Sequence, residues 1–192
     1  MNKYQLITNQ NGLFEPNVGF IHSVFVDNSC PWYYLPSTNN MHESFYSHGL
    51  SDIYEVSDNW HYQHALIPVG GIDHMKDGTD KDVLVALKNM NIIPEFETHK
   101  LVRAGVNCMH KTPNKKITPS HRDFKTEGVV YLYYINDSDG DTILFDEKGN
   151  IEASITPTAG SLLKMDSKQY HASVTPVNTS RRMGINLNFE KI

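Results

Sequence analysis

The sequence predicts a mainly β fold with N-terminal helices, in which short strands close into a jelly roll or double-stranded β-helix. The second half of the chain has six short runs rich in β-branched and aromatic residues, with turn signals between them. Short strands joined by tight turns are typical of this architecture. In the first half, a helical spacing of apolar residues at 81–90 predicts a helix that packs against the sheet. A chain of 192 residues, 39% of them hydrophobic, suggests a single domain at 1–192, with supporting elements at 1–99 and the β-helix core at 100–192.

Two segments near the start are also interpreted as strands. Residues 19–26 and 32–35 are rich in β-branched and aromatic side chains, which favour extended structure. Residues 41–50 have only a weak helical pattern. The N-terminal half is therefore expected to mix strands and helices.

The helix predicted at 81–90 has the clearest periodicity in the first half. Val83, Leu87 and Met90 form one apolar stripe. Thr79 and Asp82 are spaced as in a capping box, which would satisfy backbone N–H groups at the helix start.

The strands of the second half are predicted at residues 101–109, 128–135, 142–145, 151–155, 161–165 and 182–189. The segments between them contain Asn, Asp, Ser and Gly in combinations that favour turns. No internal repeat or low-complexity linker divides the chain.

Composition and charge narrow the function classes. The apolar runs are strand-sized, and the N-terminus lacks the apolar core of a secretory signal, so we expect a soluble, cytoplasmic protein that does not bind membranes. A net charge of −5 makes non-specific binding to nucleic acid unlikely, although a local basic patch stays compatible with it. Cys30 and Cys108 are expected to be buried thiols rather than a disulfide framework.

One group of residues indicates specific chemistry. His121-Arg122-Asp123 is followed late in the chain by His171 and then by Arg182. Two imidazoles and one carboxylate form the facial triad that binds non-haem Fe(II). A single H-x-D is expected about once by chance in this composition, so the motif depends on its context. It lies between two predicted strands, and His171 lies between two more, so a closed barrel would bring the distant segments together.

The same region resembles the 2-oxoglutarate and Fe(II)-dependent oxygenases, and most closely their prolyl-4-hydroxylase-like branch, which has phage-encoded members. The resemblance covers roughly residues 101–189. Its matching segments occur in the family's order at 120–123, 131–136, 139–145, 157–163, 170–173 and 181–186. The family's fold is a double-stranded β-helix backed by N-terminal helices, which agrees with the predicted strands.

The resemblance implies both the metal ligands and the cofactors. His121, Asp123 and His171 would bind Fe(II), act as the catalytic residues and leave positions for 2-oxoglutarate and O2. Ascorbate is a further cofactor that the resemblance suggests. The 2-oxo group and adjacent carboxylate of 2-oxoglutarate would chelate the metal, and its distal carboxylate would pair with a basic residue on the last strand.

Arg181 and Arg182 compete for that last role, and strand alternation favours Arg182. Alternate residues from Met183 to Phe189 are apolar and suit the outer packing face. Arg182 and every second residue after it are then expected in the barrel interior, where Gly184 would leave room for a ligand. The planar guanidinium of Arg182 suits a carboxylate. Arg181 is expected at the surface.

Four further residues are candidates for binding the cosubstrate. The resemblance implies that Tyr134 hydrogen-bonds the distal carboxylate, and Thr142 matches the family's G-x-T segment. Arg103 and Asn107 share the polar face of the strand that enters the site. Polar groups inside a barrel need partners, so these two are expected to hold cosubstrate or substrate, or else to form a buried hydrogen-bond network.

A second histidine cluster gives an alternative metal site. His61 and His64 would share a face of a helix and could bind zinc, with His42, His48 or His74 as further ligands. No cysteine or acidic residue at recognisable spacing accompanies them, so structural histidines are favoured.

The sequence therefore predicts an Fe(II)- and 2-oxoglutarate-dependent dioxygenase that hydroxylates its substrate and forms succinate and CO2. A peptidyl proline or another protein side chain is the first substrate expected, with a small molecule as the alternative. The segment Leu187-Asn188-Phe189 lacks the second arginine of nucleic-acid demethylases, which disfavours that activity. The alternative from another class is a non-catalytic jelly-roll or cupin-like protein, structural or ligand-binding, because this scaffold hosts both.

Overall fold

The computed structural model describes residues 4–8, 17–26, 30, 32–35, 55–56, 61–67, 78–123 and 127–192. Within these ranges the helices are α1 (Asn17–Val26), α2 (Thr79–Asn89) and α3 (Glu95–Thr98). The strands of the N-terminal half are β1 (Tyr4–Ile7), β2 (Tyr33–Leu35), β3 (Glu55–Val56) and β4 (His61–Ala65). Those that follow are β5 (His99–His110), β6 (Lys116–Ile117), β7 (Gly128–Tyr134), β8 (Thr142–Phe145), β9 (Ile151–Ile155), β10 (Leu162–Asp166), β11 (Tyr170–Ser173) and β12 (Arg181–Lys191).

Two antiparallel sheets form the body of the protein. The larger has the order β1-β10-β7-β12-β5-β4-β2, and the smaller has the order β11-β8-β9. Neighbours in the larger sheet are distant in sequence, as expected of a double-stranded β-helix. The predicted fold class is confirmed, and all six strands predicted in the second half are present.

The long strand β12 is the centre of the larger sheet. It pairs with β5 along its whole length and with β7 along seven residues, so its register is fixed from both sides. Met183, Ile185, Leu187 and Phe189 are buried on the face that packs against α1 and α2. The alternate residues therefore face the smaller sheet, as the alternation predicts.

A second apolar layer fills the space between the sheets. Val130, Leu132 and Tyr134 of β7 and Met165 of β10 pack there against Leu144 of the smaller sheet. The site described below lies next to this layer.

Two local predictions for the N-terminal half are wrong, and a third is not tested. Residues 19–26 belong to α1, because Val18, Ile21 and Phe25 form a buried stripe at helical spacing. Helix α2 begins after Gly78, and no side chain caps it, so Thr79 and Asp82 do not form a capping box. The prediction for 41–50 lies outside the described residues.

Arg181 is not the surface residue that alternation suggests. It is half-buried, and its Nη2 donates a hydrogen bond to the carbonyl of Val26 at 3.2 Å. This bond ties the start of β12 to the C-terminal end of α1, where a cation is favourable.

Cys30 and Cys108 are not joined by a disulfide; the first is half-buried and the second is buried. Among the described residues, no helix is both long and apolar enough to cross a membrane.

Candidate metal centre

Three side chains from two distant segments meet at one point. One ligand atom from each of His121, Asp123 and His171 lies within 4.8 Å of the other two. The Asp123 Oδ1 atom lies 3.8 Å from Nε2 of His121 and 3.9 Å from Nε2 of His171. Metal–ligand bonds of about 2.0–2.2 Å allow one ion to contact all three atoms.

The backbone brings the two histidines together. His121 and His171 form an isolated antiparallel bridge, with both N–H···O bonds at 3.0 Å, and their ring centroids are 4.5 Å apart. His171 belongs to β11 rather than to a segment between strands, and His121 pairs with it, so both imidazoles lie at the smaller sheet. The H-x-D spacing then places Asp123 on the same side as His121.

Hydrogen bonds orient all three ligands. Nδ1 of His121 lies 3.2 Å from the Pro119 carbonyl, and Nδ1 of His171 lies 3.0 Å from the Gln169 carbonyl. A carbonyl accepts only from a protonated nitrogen, so Nε2 of each ring is left as the free electron-pair donor. The other oxygen of Asp123, Oδ2, accepts a bond of 2.9 Å from the Asn186 amide on β12.

The electrostatic surroundings suit a metal-binding set. Burial, together with neighbouring His171, lowers the pKa of His121 to about 4, so its imidazole is neutral at pH 7. Burial alone raises the pKa of Asp123. The two histidines and the Asn186 amide outweigh burial and hold this pKa below its ordinary value, so the carboxylate is ionised.

The three residues line a cavity of about 120 Å³, well above the ~10–15 Å³ that one water requires. The cavity is open to solvent between the two sheets. The other residues that line it are Gln63, Arg103, Asn107, Met109, Thr118, Leu132, Met165, Ser173, Arg182 and Asn186.

Arg182 lines this cavity as a buried cation. Its side chain is 3% exposed, and no carboxylate among the described residues forms an ion pair with it. Nε donates to the Gly140 carbonyl at 2.8 Å and Nη2 donates to Thr142 Oγ1 at 2.7 Å, whereas Nη1 has only the Met109 sulfur at 4.0 Å. A buried charge without a counter-ion is costly, so this geometry favours an anionic ligand.

Tyr134 and Thr142 lie behind Arg182 rather than in the cavity lining. The Tyr134 hydroxyl donates to Thr142 Oγ1 at 2.8 Å, and the Arg182 guanidinium lies 5.9 Å from the tyrosine ring centroid. Burial raises the pKa of Tyr134 despite the nearby arginine, so the phenol stays protonated. Both residues hold the arginine in place.

Arg103 and Asn107 line the cavity from β5, as their shared face predicts. Sequence reasoning missed Gln63 and the bond from Asn186 to Asp123. Alternation put Asn186 in the interior, but its contact with Asp123 depends on how β12 meets a distant loop. No sequence signal indicated Gln63, which β4 brings beside Asn107.

The alternative histidine cluster is not assembled on a helix. His61 and His64 belong to strand β4, so the helical spacing on which the cluster depends does not apply. His64 is buried and bonds Asp80 of α2 at 2.8 Å, which is a structural role. His42, His48 and His74 lie outside the described residues.

No protein-family model and no curated protein matches this chain by sequence. Solved structures do match it. An oxidoreductase of the 2OG-Fe(II) oxygenase family from Burkholderia pseudomallei has a TM-score of 0.62 at 10% identity, over 98% of this chain and 85% of that one. A prolyl hydroxylase from Trichoplax adhaerens, in complex with a peptide fragment of the hypoxia inducible factor oxygen degradation domain, has a TM-score of 0.58 at 14% identity, over 100% and 84%.

The viral collagen prolyl hydroxylase of Paramecium Bursaria Chlorella virus-1, in its 2OG complex, has a TM-score of 0.55 at 12% identity, over 100% of this chain and 97% of that one. At identities this low, structural similarity shows a shared fold. The chain has the double-stranded β-helix fold of the 2OG-Fe(II) oxygenases, and it carries the HxD…H triad in one place.

The donor set fits Fe(II), since two imidazole nitrogens and one carboxylate oxygen on one side of an ion leave the opposite positions open. The cavity also fits a diacid. Arg182 faces it as an unpaired cation, and Asn186 Oδ1 is buried without a hydrogen-bond partner among the described residues. A polar ligand in the cavity would satisfy both groups.

Proposed function

We propose that this protein is an Fe(II)- and 2-oxoglutarate-dependent dioxygenase that hydroxylates its substrate, with succinate and CO2 as coproducts. The observation that carries this proposal is the arrangement of the cavity. The ligand atoms of His121, Asp123 and His171 lie within 4.8 Å of one another, and the same cavity is lined by the buried cation of Arg182.

Each residue then has a defined part. His121, Asp123 and His171 would hold the metal, and Fe(II) with 2-oxoglutarate would supply oxygen activation coupled to decarboxylation. Arg182 would bind the distal carboxylate of 2-oxoglutarate, and its contacts with Gly140 and Thr142 aim it into the cavity. Charge-assisted bonds from a fixed, buried guanidinium are stronger than neutral ones.

Tyr134 and Thr142 would support this contact from behind. Thr142 Oγ1 accepts hydrogen bonds from both Arg182 and Tyr134, which leaves its own proton to donate. Asn107 and Arg103 would act on cosubstrate or substrate nearer the metal ligands. Leu132, Met109 and Met165 give part of the same cavity an apolar lining.

For the substrate we propose a peptidyl proline first and a small molecule second. The support is the likeness to prolyl hydroxylases, one of which was solved with a peptide. A non-catalytic, cupin-like protein of the same fold is the competing function.

Anaerobic titration with Fe(II) and 2-oxoglutarate separates these functions. We expect a metal-to-ligand charge-transfer band that appears only when both are present. His171→Ala and Asp123→Ala should lose this band and all succinate formation, whereas His110→Ala, at an exposed position of β5, should keep both. Absence of the band in the wild-type protein would favour the cupin-like alternative, and wild-type turnover in either triad variant would refute the metal site.

A further inference from the structure

The cavity contains a second arginine at the far end of the sheet from Arg182. In the register of β12 and β5, Arg182 is opposite Met109, and Asn188 is opposite Arg103. The two arginines are thus six residues apart along the sheet, about 20 Å. The Arg182 side chain crosses to Gly140 and does not run towards Arg103.

One molecule of 2-oxoglutarate is too short to occupy both ends. Its five-carbon chain has a length of about 5 Å, judged from the bond spacing of an extended backbone. If Arg182 binds its distal carboxylate, as proposed above, the guanidinium of Arg103 is left for a different anion.

Arg103 has no partner within the described part of the chain. Its side chain is exposed, lines the cavity and forms no hydrogen bond or ion pair with the described residues. It lines the same cavity as His121 and Asp123, so the guanidinium lies on the same side of the sheet as the metal ligands. By contrast, Arg181 and Arg182 are both hydrogen-bonded.

An amide donor accompanies the arginine. Asn107 lies on the same face of β5, and Gly105 between them contributes no side chain. The Gln63 amide donates a hydrogen bond to Asn107 Oδ1 at 3.1 Å. The Asn107 Nδ2 group therefore points away from Gln63, and it has no hydrogen-bond acceptor among the described residues. A guanidinium and an amide N–H group that line one cavity match the two oxygens of a carboxylate.

We propose that the primary substrate carries a carboxylate and that Arg103, assisted by Asn107, binds it near the metal ligands. The inference rests on the proposed function, because it assigns Arg182 to the cosubstrate. The carboxylate has two possible sources, a free amino acid or an acidic side chain beside the target residue of a peptide. Arg103 is then a specificity-determining residue.

Calorimetry on the protein loaded with Mn(II) and N-oxalylglycine tests this without turnover. One set of probes is the free L-amino acids and their primary amides. The other set is capped peptides with Asp or Glu next to proline, and the matching Asn or Gln peptides. We expect a carboxylate in one set to bind at least about tenfold more tightly than its neutral counterpart, and to bind less tightly at high salt.

Arg103→Met should remove that preference, and Arg103→Lys should restore part of it. Lys100→Met is the matched control, because it removes the same charge from an exposed position of β5 outside the cavity lining. It should leave the preference unchanged. The set of probes whose carboxylate preference is lost in Arg103→Met identifies the source of the carboxylate.

Three outcomes would overturn the proposal. In the first, no carboxylate in either set binds better than its neutral counterpart. In the second, Arg103→Met keeps the preference. In the third, Arg103→Met weakens N-oxalylglycine binding as much as carboxylate binding, which would make Arg103 a cosubstrate residue. The wild-type charge-transfer band reports on the proposed function separately, so the two failures are distinguishable.

Discussion

At the scale of single residues, Thr142 connects the groups that hold Arg182. Its hydroxyl accepts from the guanidinium at 2.7 Å and from Tyr134 at 2.8 Å, and the residue is fully buried. One oxygen therefore fixes both the cation and the phenol. The guanidinium has no counter-ion among the described residues, so its position depends on such neutral contacts.

Thr142→Val tests this role, because valine keeps the shape and removes the oxygen. We expect a loss of about 1–3 kcal/mol of stability, since a buried donor of Arg182 is left unpaired. The dissociation constant for 2-oxoglutarate should rise about tenfold. Thr156→Val is the control, since the Thr156 hydroxyl is exposed and bonds Asp141 instead. Equal 2-oxoglutarate affinity in wild type and Thr142→Val would contradict the role.

The site residues differ in how far the sequence could predict them. The resemblance implies a basic residue on the last strand, and alternation along that strand, which is a local property, selects Arg182 over Arg181. The bond from Asn186 to Asp123 and the place of Gln63 beside Asn107 depend on registers between strands far apart in sequence. Alternation predicts the face of the strand on which a residue lies, but it does not predict which distant residue that side chain contacts.

At the scale of elements, one acidic residue organises the turn that leads into β12. Asp139 accepts hydrogen bonds from the backbone N–H groups of Val177, Asn178 and Thr179, and from the Thr179 hydroxyl. These bonds outweigh the effect of burial and hold the pKa of Asp139 well below its ordinary value. The turn therefore fixes where β12, and with it Arg182, begins.

Asp139→Ala should release this turn. We expect a lower melting temperature and a several-fold weaker affinity for 2-oxoglutarate, because the start of β12 loses its anchor. Asp146→Ala is the matched control, since Asp146 accepts similar bonds from Lys148 and Asn150 in the β8–β9 turn. It should lower the melting temperature without changing 2-oxoglutarate affinity. If both variants bind 2-oxoglutarate as the wild type does, the turn does not position Arg182.

Helix α3 is fixed to the larger sheet by a buried carboxylate. Glu95 accepts bonds from Lys164 at 2.7 Å and from the Tyr131 hydroxyl. Burial alone raises the pKa of Glu95, but these bonds outweigh it and the pKa lies below its ordinary value.

The contribution of Glu95 to stability is thus present above the unfolded-state pKa of about 4.3 and is lost as the pH falls through the lower folded-state value. We expect Glu95→Gln to be less stable at pH 7, and this deficit to shrink as the pH approaches 3. Denaturant unfolding at several pH values measures it. Glu97→Gln on the same helix should show little pH-dependent change, because the Glu97–Lys88 pair is exposed. A constant deficit for Glu95→Gln across this range would contradict the linkage.

The elements that sequence reasoning missed share a cause. Residues 19–26 have strand-favouring composition, yet tertiary packing on α2 and the sheet selects a helix with Ile21 and Phe25 inside. Strand β4 is too polar to show a strand pattern in the sequence. It forms because its backbone pairs with β5 in the larger sheet. Strand predictions succeeded where a run of β-branched and aromatic residues was bounded by turn signals.

At the scale of the whole molecule, the metal site joins parts that no continuous segment connects. His171 belongs to the smaller sheet, His121 bridges to it, and Asp123 is bonded to Asn186 at the centre of the larger sheet. The three ligand atoms approach one another only when both sheets have closed. A metal that binds this set therefore binds the folded chain far better than the unfolded one.

Metal should consequently raise the melting temperature. At a free Mn(II) concentration of about 100 times the dissociation constant, with 2-oxoglutarate present, linkage predicts about 2.7 kcal/mol of stabilisation. For a chain of this size that corresponds to roughly 5–10 °C, measured by calorimetry or fluorescence. A chelator should remove the shift, and His171→Ala should lack it while keeping a cooperative transition. His110→Ala should show the full shift, and a full shift in His171→Ala would mean that the metal binds elsewhere.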